Sequence, residues 1–301
     1  MDDGKTRDFL GLPTWKPLYG FGDTVLLRAK MTNAMFVHGI DRRALAGALP
    51  RHPRVKLHRA SPIVLVQSEF LHCADNGDPD GNDYPYREVM IACVLEGTAG
   101  LFGPMWPIAL FLDSPIATAA GREFHGFPKV PARVAIGESS AEIDFESWPG
   151  GKPRVRRVLS SRWSDARGIV ARAMSAASGV VSAALRAAKV DADSIDALEQ
   201  LALAPMGEVW NLHQVPDLAS PRRATFSQLT RFKPTIADPS GFRLLEGFTL
   251  ELPSAADEPV WEIGKRFFEA KDRAVKKSAA VAFAWEATMR VSGGEVIDTW
   301  R

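Results

Sequence analysis

A mainly antiparallel α+β fold follows from two features of the sequence: long stretches that alternate apolar and polar residues at period two, and few segments with helical periodicity. Successive side chains of a strand point to opposite faces, so alternation means one buried and one wetter face. Such strands belong to antiparallel sheets, whereas doubly wound parallel sheets are buried on both faces and read as continuous apolar runs. A third feature is the lack of an internal repeat or a long Ser/Gly/Pro linker, which predicts one domain over residues 1–301.

Taken in chain order, residues 24–31 read as the first strand. Asp41 then caps a short helix that runs to Leu49 and is stopped by Pro50. Strands follow at 62–71 and 87–95, joined by the acidic, turn-rich loop 74–86. That loop lacks EF-hand spacing, because the twelfth position counted from Asp78 is Val89 and not a glutamate. Strands at 131–137 and 154–160 come next, and between them Ala141, Ile143 and Phe145 alternate with Glu142, Asp144 and Glu146. Residues 165–188 and 193–203 read as an Ala-rich helical pair, a helical insertion at about 165–203.

Two further strands fall at 208–213 and 222–231, and Phe242 to Leu252 alternates with Glu246 on its apolar side. Pro259 suits the first turn of a helix whose Val260, Ile263, Gly264, Phe267 and Phe268 share a face. The clearest strand carries Val281, Phe283, Trp285, Ala287, Met289 and Val291 on one face and Glu286, Thr288 and Arg290 on the other.

Composition removes several classes of function. With 46% hydrophobic and 24% charged residues the chain is globular, and its net charge of +1 supplies no field for nucleic acid or an anionic membrane. Two cysteines, Cys73 and Cys93, exclude a disulfide framework. The six histidines show neither HxH nor HExxH spacing, which speaks against zinc. The longest small-apolar stretch, 168–190, is cut by Arg172 and Arg186 to 13 residues between charges, too few to cross a bilayer. The amino terminus carries no secretory signal, so a cytoplasmic location is expected. The basic run Lys152 to Arg157 reads as a solvated strand and helix start, since no nucleic-acid motif accompanies it. No glycine-rich loop follows a strand as a phosphate cradle requires.

Chemistry concentrates between Asp113 and Val134. Pro128 fixes its own φ and pushes Phe127 towards extended backbone, so Lys129 projects from a stiff chain. Phe124, Phe127, Pro128, Val130 and Pro131 surround it with apolar bulk. Desolvation favours a neutral amine, the form that attacks a ketone carbon. A free lysine side chain has a pKa of about 10.4, so only about one in 2,500 is neutral near pH 7, and burial can offset much of that. Taken alone, the segment also reads as a loop with a solvated lysine.

Gly121-Arg122-Glu123, an aromatic-rich stretch and then Pro128-Lys129 resemble the signature of the acetoacetate decarboxylases. The similarity extends to residues 36–50 with Leu49-Pro50, to Tyr86-Arg87-Glu88 as a Tyr-x-Glu motif, and to Glu295-Val296-Ile297-Asp298 as a last strand, so it covers residues 15–301. The resemblance implies that the curved sheet closes into a barrel- or cone-like fold around an apolar pocket. It implies that Lys129 forms a Schiff base with a small-molecule keto acid, a mechanism for which this family is a standing example. Glu88 becomes the acid/base or orienting carboxylate beside Tyr86; Arg122 and Glu123 support the lysine loop, and Phe127 lines the pocket. A second family glutamate falls on the preceding strand, where the register expected here puts Gln67, with Glu69 two residues on and on the same face. His125 occupies a slot usually apolar or small in the family, where it is either a proton donor or a packing residue. No cofactor is required, because the lysine imine is itself the electron sink. Homo-oligomers are expected, with the helix 165–188 as a packing surface.

The sequence departs from the family at Val130, which stands where a second lysine follows the nucleophile. Arg122, Arg133 or desolvation by Val130 would have to replace that cation. Three functions remain open: decarboxylation of a β-keto acid, aldol or dehydratase chemistry on a pyruvate-like 2-oxo acid, and ligand binding without turnover. Val130 and Gln67 motivate the second.

Overall fold

A computed structural model describes residues 25–75, 84–97, 104–123, 125–147, 152–166, 208–216, 224–252, 267–268, 275–291 and 294–300. Alternation becomes strand almost everywhere it was read. The chain runs β1 (Val25–Phe36), α1 (Arg42–Ala48), β2 (Ile63–Asp75), β3 (Tyr86–Val94), β4 (Met105–Leu112), α2 (Pro115–Glu123), β5 (Lys129–Pro131), β6 (Arg133–Ile136), β7 (Ser140–Ser147) and β8 (Arg154–Asp165). It continues with β9 (Val209–Pro216), β10 (Ala224–Phe232), β11 (Thr235–Leu252), β12 (Val275–Ser278), β13 (Val281–Val291) and β14 (Glu295–Trp300).

All fourteen strands join one sheet, in the order β14-β10-β9-β4-β3-β2-β1-β13-β11-β8-β7-β6, with β12 beside β11 and β5 beside β4. Pairings are antiparallel except that β5 and β9 each run parallel to β4. The expected closure into a barrel or cone is corrected here. The described sheet is open, with β14 and β6 as its two ends. Both end strands are short and set exposed polar side chains among their residues, Arg133 on β6 and Glu295 on β14, which blunts an edge against further pairing.

The central strands carry two apolar faces. Met31, Val66, Met90, Leu110 and Phe283 lie on one, while Phe36, Leu65, Val89, Phe111 and Ala284 lie on the other. Two-sided burial explains the omission of β4 from the strands expected from sequence. Its run Met-Trp-Pro-Ile-Ala-Leu-Phe-Leu is apolar throughout, so period two is invisible in it. Segment 131–137 divides into β5 and β6, and Lys129 opens β5.

α1 forms where Asp41 predicts it, the carboxylate accepting from the Ala44 N–H at 2.9 Å, and it buries Leu45 completely. α2 is absent from the elements expected from sequence; Gly121-Arg122-Glu123 forms its last turn. Its start carries a recognisable signal, for Ser114 Oγ accepts from Ala117 N at 3.2 Å and Pro115 occupies the first helical position. Most of the helical insertion and of the helix after Pro259 lies outside the described residues; Asp165 is the last residue of β8. Among the described residues no helix is long and apolar enough to cross a membrane.

Candidate active site

The site begins at the end of α2, where free carbonyls must find donors. Gly121 O accepts from Phe127 N at 3.0 Å and Arg122 O from Gly126 N at 3.1 Å, so the loop folds back beneath its own helix. Gly126 makes that reversal with φ +66°, and a Cβ there would stand 2.7 Å from the His213 Cα. Across Pro128, the Lys129 N–H donates to Phe127 O at 2.7 Å, a three-residue turn. Leu110 N then donates to Pro128 O at 3.1 Å, and β5 docks parallel to β4 with Lys129 opposite Leu110 and Val130 opposite Phe111.

This register sends the Lys129 side chain over the face that carries Leu110 and Met90. Lys129 Nζ lies 2.9 Å from Glu88 Oε2, and the two side chains are only 10% and 13% exposed. The contact is an ion pair out of line for a hydrogen bond, so Oε2 keeps an unused acceptor site. The Tyr86 ring, tilted by 33° against Phe70 at 4.6 Å, holds its centroid 5.8 Å from Nζ.

Gly121 supplies the wall behind the lysine. A Cβ at this position would come within 2.4 Å of both Cδ and Cε of Lys129. Alanine favours a helix over glycine by roughly 1 kcal/mol, and the group that must yield is the flexible lysine and not backbone. Gly121→Ala is therefore expected to leave the melting temperature within a few degrees of wild type. It should slow any reaction that uses Nζ as nucleophile by about 10²-fold, through displacement of that atom. Steady-state kinetics beside a thermal melt checks both halves.

His125 sits between Phe127 and Phe232, at ring distances of 6.0 and 5.1 Å, and its carbonyl accepts from Asn211 Nδ2 at 2.6 Å. Burial, with the nearby Lys129 and His213 charges, lowers its pKa from 6.5 to about 4. The imidazole is neutral at physiological pH and carries no acidic proton to give, which favours the packing role over the proton donor. The unfolded chain takes up a proton near pH 6.5 that the folded chain refuses until about pH 4. His125 thus contributes its full stability above pH 6.5 and loses up to roughly 3 kcal/mol as the pH falls to 4. His125→Phe should flatten the fall in melting temperature across that window; parallel profiles for wild type and variant would contradict this.

The remaining predicted residues are placed as follows. Phe127 packs at 4.8 Å on Phe232, on the lysine's face of the sheet. Arg122 is exposed at the end of α2 and holds the loop through its carbonyl; Glu123 closes the helix, and its side chain lies outside the described residues. Gln67 and Glu69 require a correction. β2 pairs with β3 so that Ser68 stands opposite Glu88, which puts Gln67 and Glu69 on the other face. There Gln67 is 1% exposed and donates to Ser161 Oγ, while Glu69 accepts from Arg87 Nη2 at 3.1 Å; both line a cavity of about 700 Å³ that Lys129 does not reach. The neighbour of Glu88 is the buried Ser68, a residue that the alternation along β2 could have indicated once its register was known.

Val130 is corrected in the same way. It follows Lys129 in sequence but belongs to the opposite face, so neither it nor a lysine in its place would stand beside Nζ. Arg133 is taken by Glu146 at 3.1 Å. Of the two cysteines, Cys93 is buried and its thiol is pushed up to about 12, which makes it unreactive. Among the described residues no three His, Cys, Asp or Glu side chains gather as metal ligands.

Residues 13–297 match the model of the acetoacetate decarboxylase family. No curated protein sequence matches the chain. Among solved structures, acetoacetate decarboxylase from Legionella pneumophila subsp. pneumophila str. Philadelphia 1 is similar at a TM-score of 0.63 and 17% identity, over 97% of this chain and 94% of that one. An acetoacetate decarboxylase-like enzyme from Sphingomonas wittichii RW1 follows at 0.57 and 14%, over 94% and 96%. The enduracididine biosynthesis enzyme MppR, complexed with pyruvate, is similar at 0.52 and 10%, over 93% and 91%. At these identities the similarity is one of fold.

Proposed function

The chain belongs to the acetoacetate decarboxylase family, and on that premise we propose that it is an imine-forming lysine enzyme that decarboxylates a β-keto acid. The observation that carries this reading is the Lys129–Glu88 contact at 2.9 Å, nearly buried on a face that also carries Met31, Val66, Met90 and Leu110. An amine must shed a proton before it attacks a carbonyl, and Glu88 is the group within reach to accept it. Attack of Nζ on the keto carbon gives a carbinolamine; loss of water, with a proton returned by Glu88, gives the iminium. The bond from the α-carbon to the carboxylate then breaks and its electrons enter the iminium, leaving carbon dioxide and an enamine. Protonation of the enamine carbon and hydrolysis release the ketone and restore the amine.

The largely apolar surroundings of the pair favour this step, because charge disperses as the carboxylate becomes carbon dioxide. Release of acetone and carbon dioxide in equal amounts from acetoacetate tests the proposal, with loss of both in Lys129→Met as the control. The same imine supports a second reading, aldol or dehydratase chemistry on a pyruvate-like 2-oxo acid. Ser68 favours it, because it stands opposite Glu88 on β2 and, among the described residues, no second carboxylate stands there. Consumption of pyruvate with an aldehyde, and no gas from acetoacetate, would select this alternative.

A further inference from the structure

On the face that carries Lys129, and among the described residues, three buried atoms besides Glu88 Oε2 have no hydrogen-bond partner. Asn33, 2% exposed, leaves both Oδ1 and Nδ2 unsatisfied, and Trp285, 4% exposed, leaves Nε1 unsatisfied. Native folds satisfy nearly all such atoms, so a cluster of orphans on one face points to a group that arrives from outside.

Strand register fixes where they stand. Trp285 lies opposite Met31, Met31 opposite Ser68, and Ser68 opposite Glu88, in one line across β13, β1, β2 and β3. Asn33, two residues along β1 from Met31, shares this face and is the diagonal neighbour of both Trp285 and Ser68. With strands about 4.8 Å apart and roughly 6.6 Å per residue pair, Asn33 Cα is about 12 Å from Glu88 Cα. Side chains leaning across that gap leave a span comparable with a chain of about five bonds.

We infer that Asn33 and Trp285 form a distal subsite that holds the far end of an elongated oxo substrate, and that this end is an uncharged hydroxyl or amide. Nε1 of Trp285 and Nδ2 of Asn33 donate to its oxygen, while Oδ1 of Asn33 accepts its hydrogen. An ionic end group is disfavoured because the surrounding Met31, Val66, Met90 and Phe283 carry no charge and offer no counter-ion. The inference rests on the imine reading only for which end of the ligand faces Lys129.

Two probes of matched length separate the subsite from the chemistry: 6-hydroxyhexan-2-one, and heptan-2-one, in which a methyl replaces the hydroxyl. Calorimetry on the full chain should show the hydroxyketone bound about tenfold or more tightly. Asn33→Leu and Trp285→Phe should each erase that preference while leaving heptan-2-one affinity within about threefold. The subsite is overturned by equal affinities in wild type, or by a preference that survives in both variants. Borohydride reduction of the same mixtures reports the imine separately. A preference without an adduct on Lys129 removes the imine reading and keeps the subsite, and an adduct without a preference does the reverse.

Discussion

Lys129→Met is expected to lower turnover of a β-keto acid by at least about 10⁴-fold, the scale on which removal of a covalent nucleophile acts. Neither candidate neighbour substitutes: Arg133 is engaged by Glu146, and Val130 faces the other side of the sheet. The variant also carries a cost in stability. Glu88 is left 13% exposed and without its cation, so a loss of roughly 1–3 kcal/mol follows at neutral pH. Adding Glu88→Gln to Lys129→Met should restore most of that stability and none of the activity. Kinetics and denaturant melts of the two single variants and the double variant measure both effects. An additive stability cycle would contradict the contact.

Glu88→Gln alone is the second large effect. Glutamine keeps the shape and a hydrogen-bonding end but cannot take the ammonium proton, so kcat should fall by about 10²–10⁴-fold. KM should change little, because the lost interaction belongs to proton transfer and not to binding. Single-turnover measurements of adduct formation locate the defect at the imine-forming step. A kcat within threefold of wild type would remove Glu88 from the chemistry.

Much of this site is legible before any coordinates. A lysine after proline, in a stretch crowded with aromatic residues, and Tyr86-Arg87-Glu88 mark the two groups that meet at 2.9 Å. Their meeting depends on β4, to which β5 docks, and β4 gives no alternation because both of its faces are buried. The second carboxylate slot is lost for a different reason. Register between β2 and β3 is a property of the pair, and a slip of one residue moves every side chain to the other face. Reading Gln67 in place of Ser68 was such a slip. Asn33 and Trp285 look unremarkable on their own strands, and only burial without partners distinguishes them. Closure of the sheet was an expectation carried by resemblance, and the short polar end strands β6 and β14 leave it open.

The central claim is that Lys129 is the nucleophile. Borohydride reduction in the presence of acetoacetate, and separately of pyruvate, followed by peptide mass spectrometry, tests it most directly. The account predicts a stable secondary amine on the peptide that contains Lys129, absent from Lys129→Met, with an isopropyl group from acetoacetate if carbon dioxide has left before reduction. An unmodified Lys129 with both keto acids, or an adduct that persists on another lysine in Lys129→Met, would contradict it.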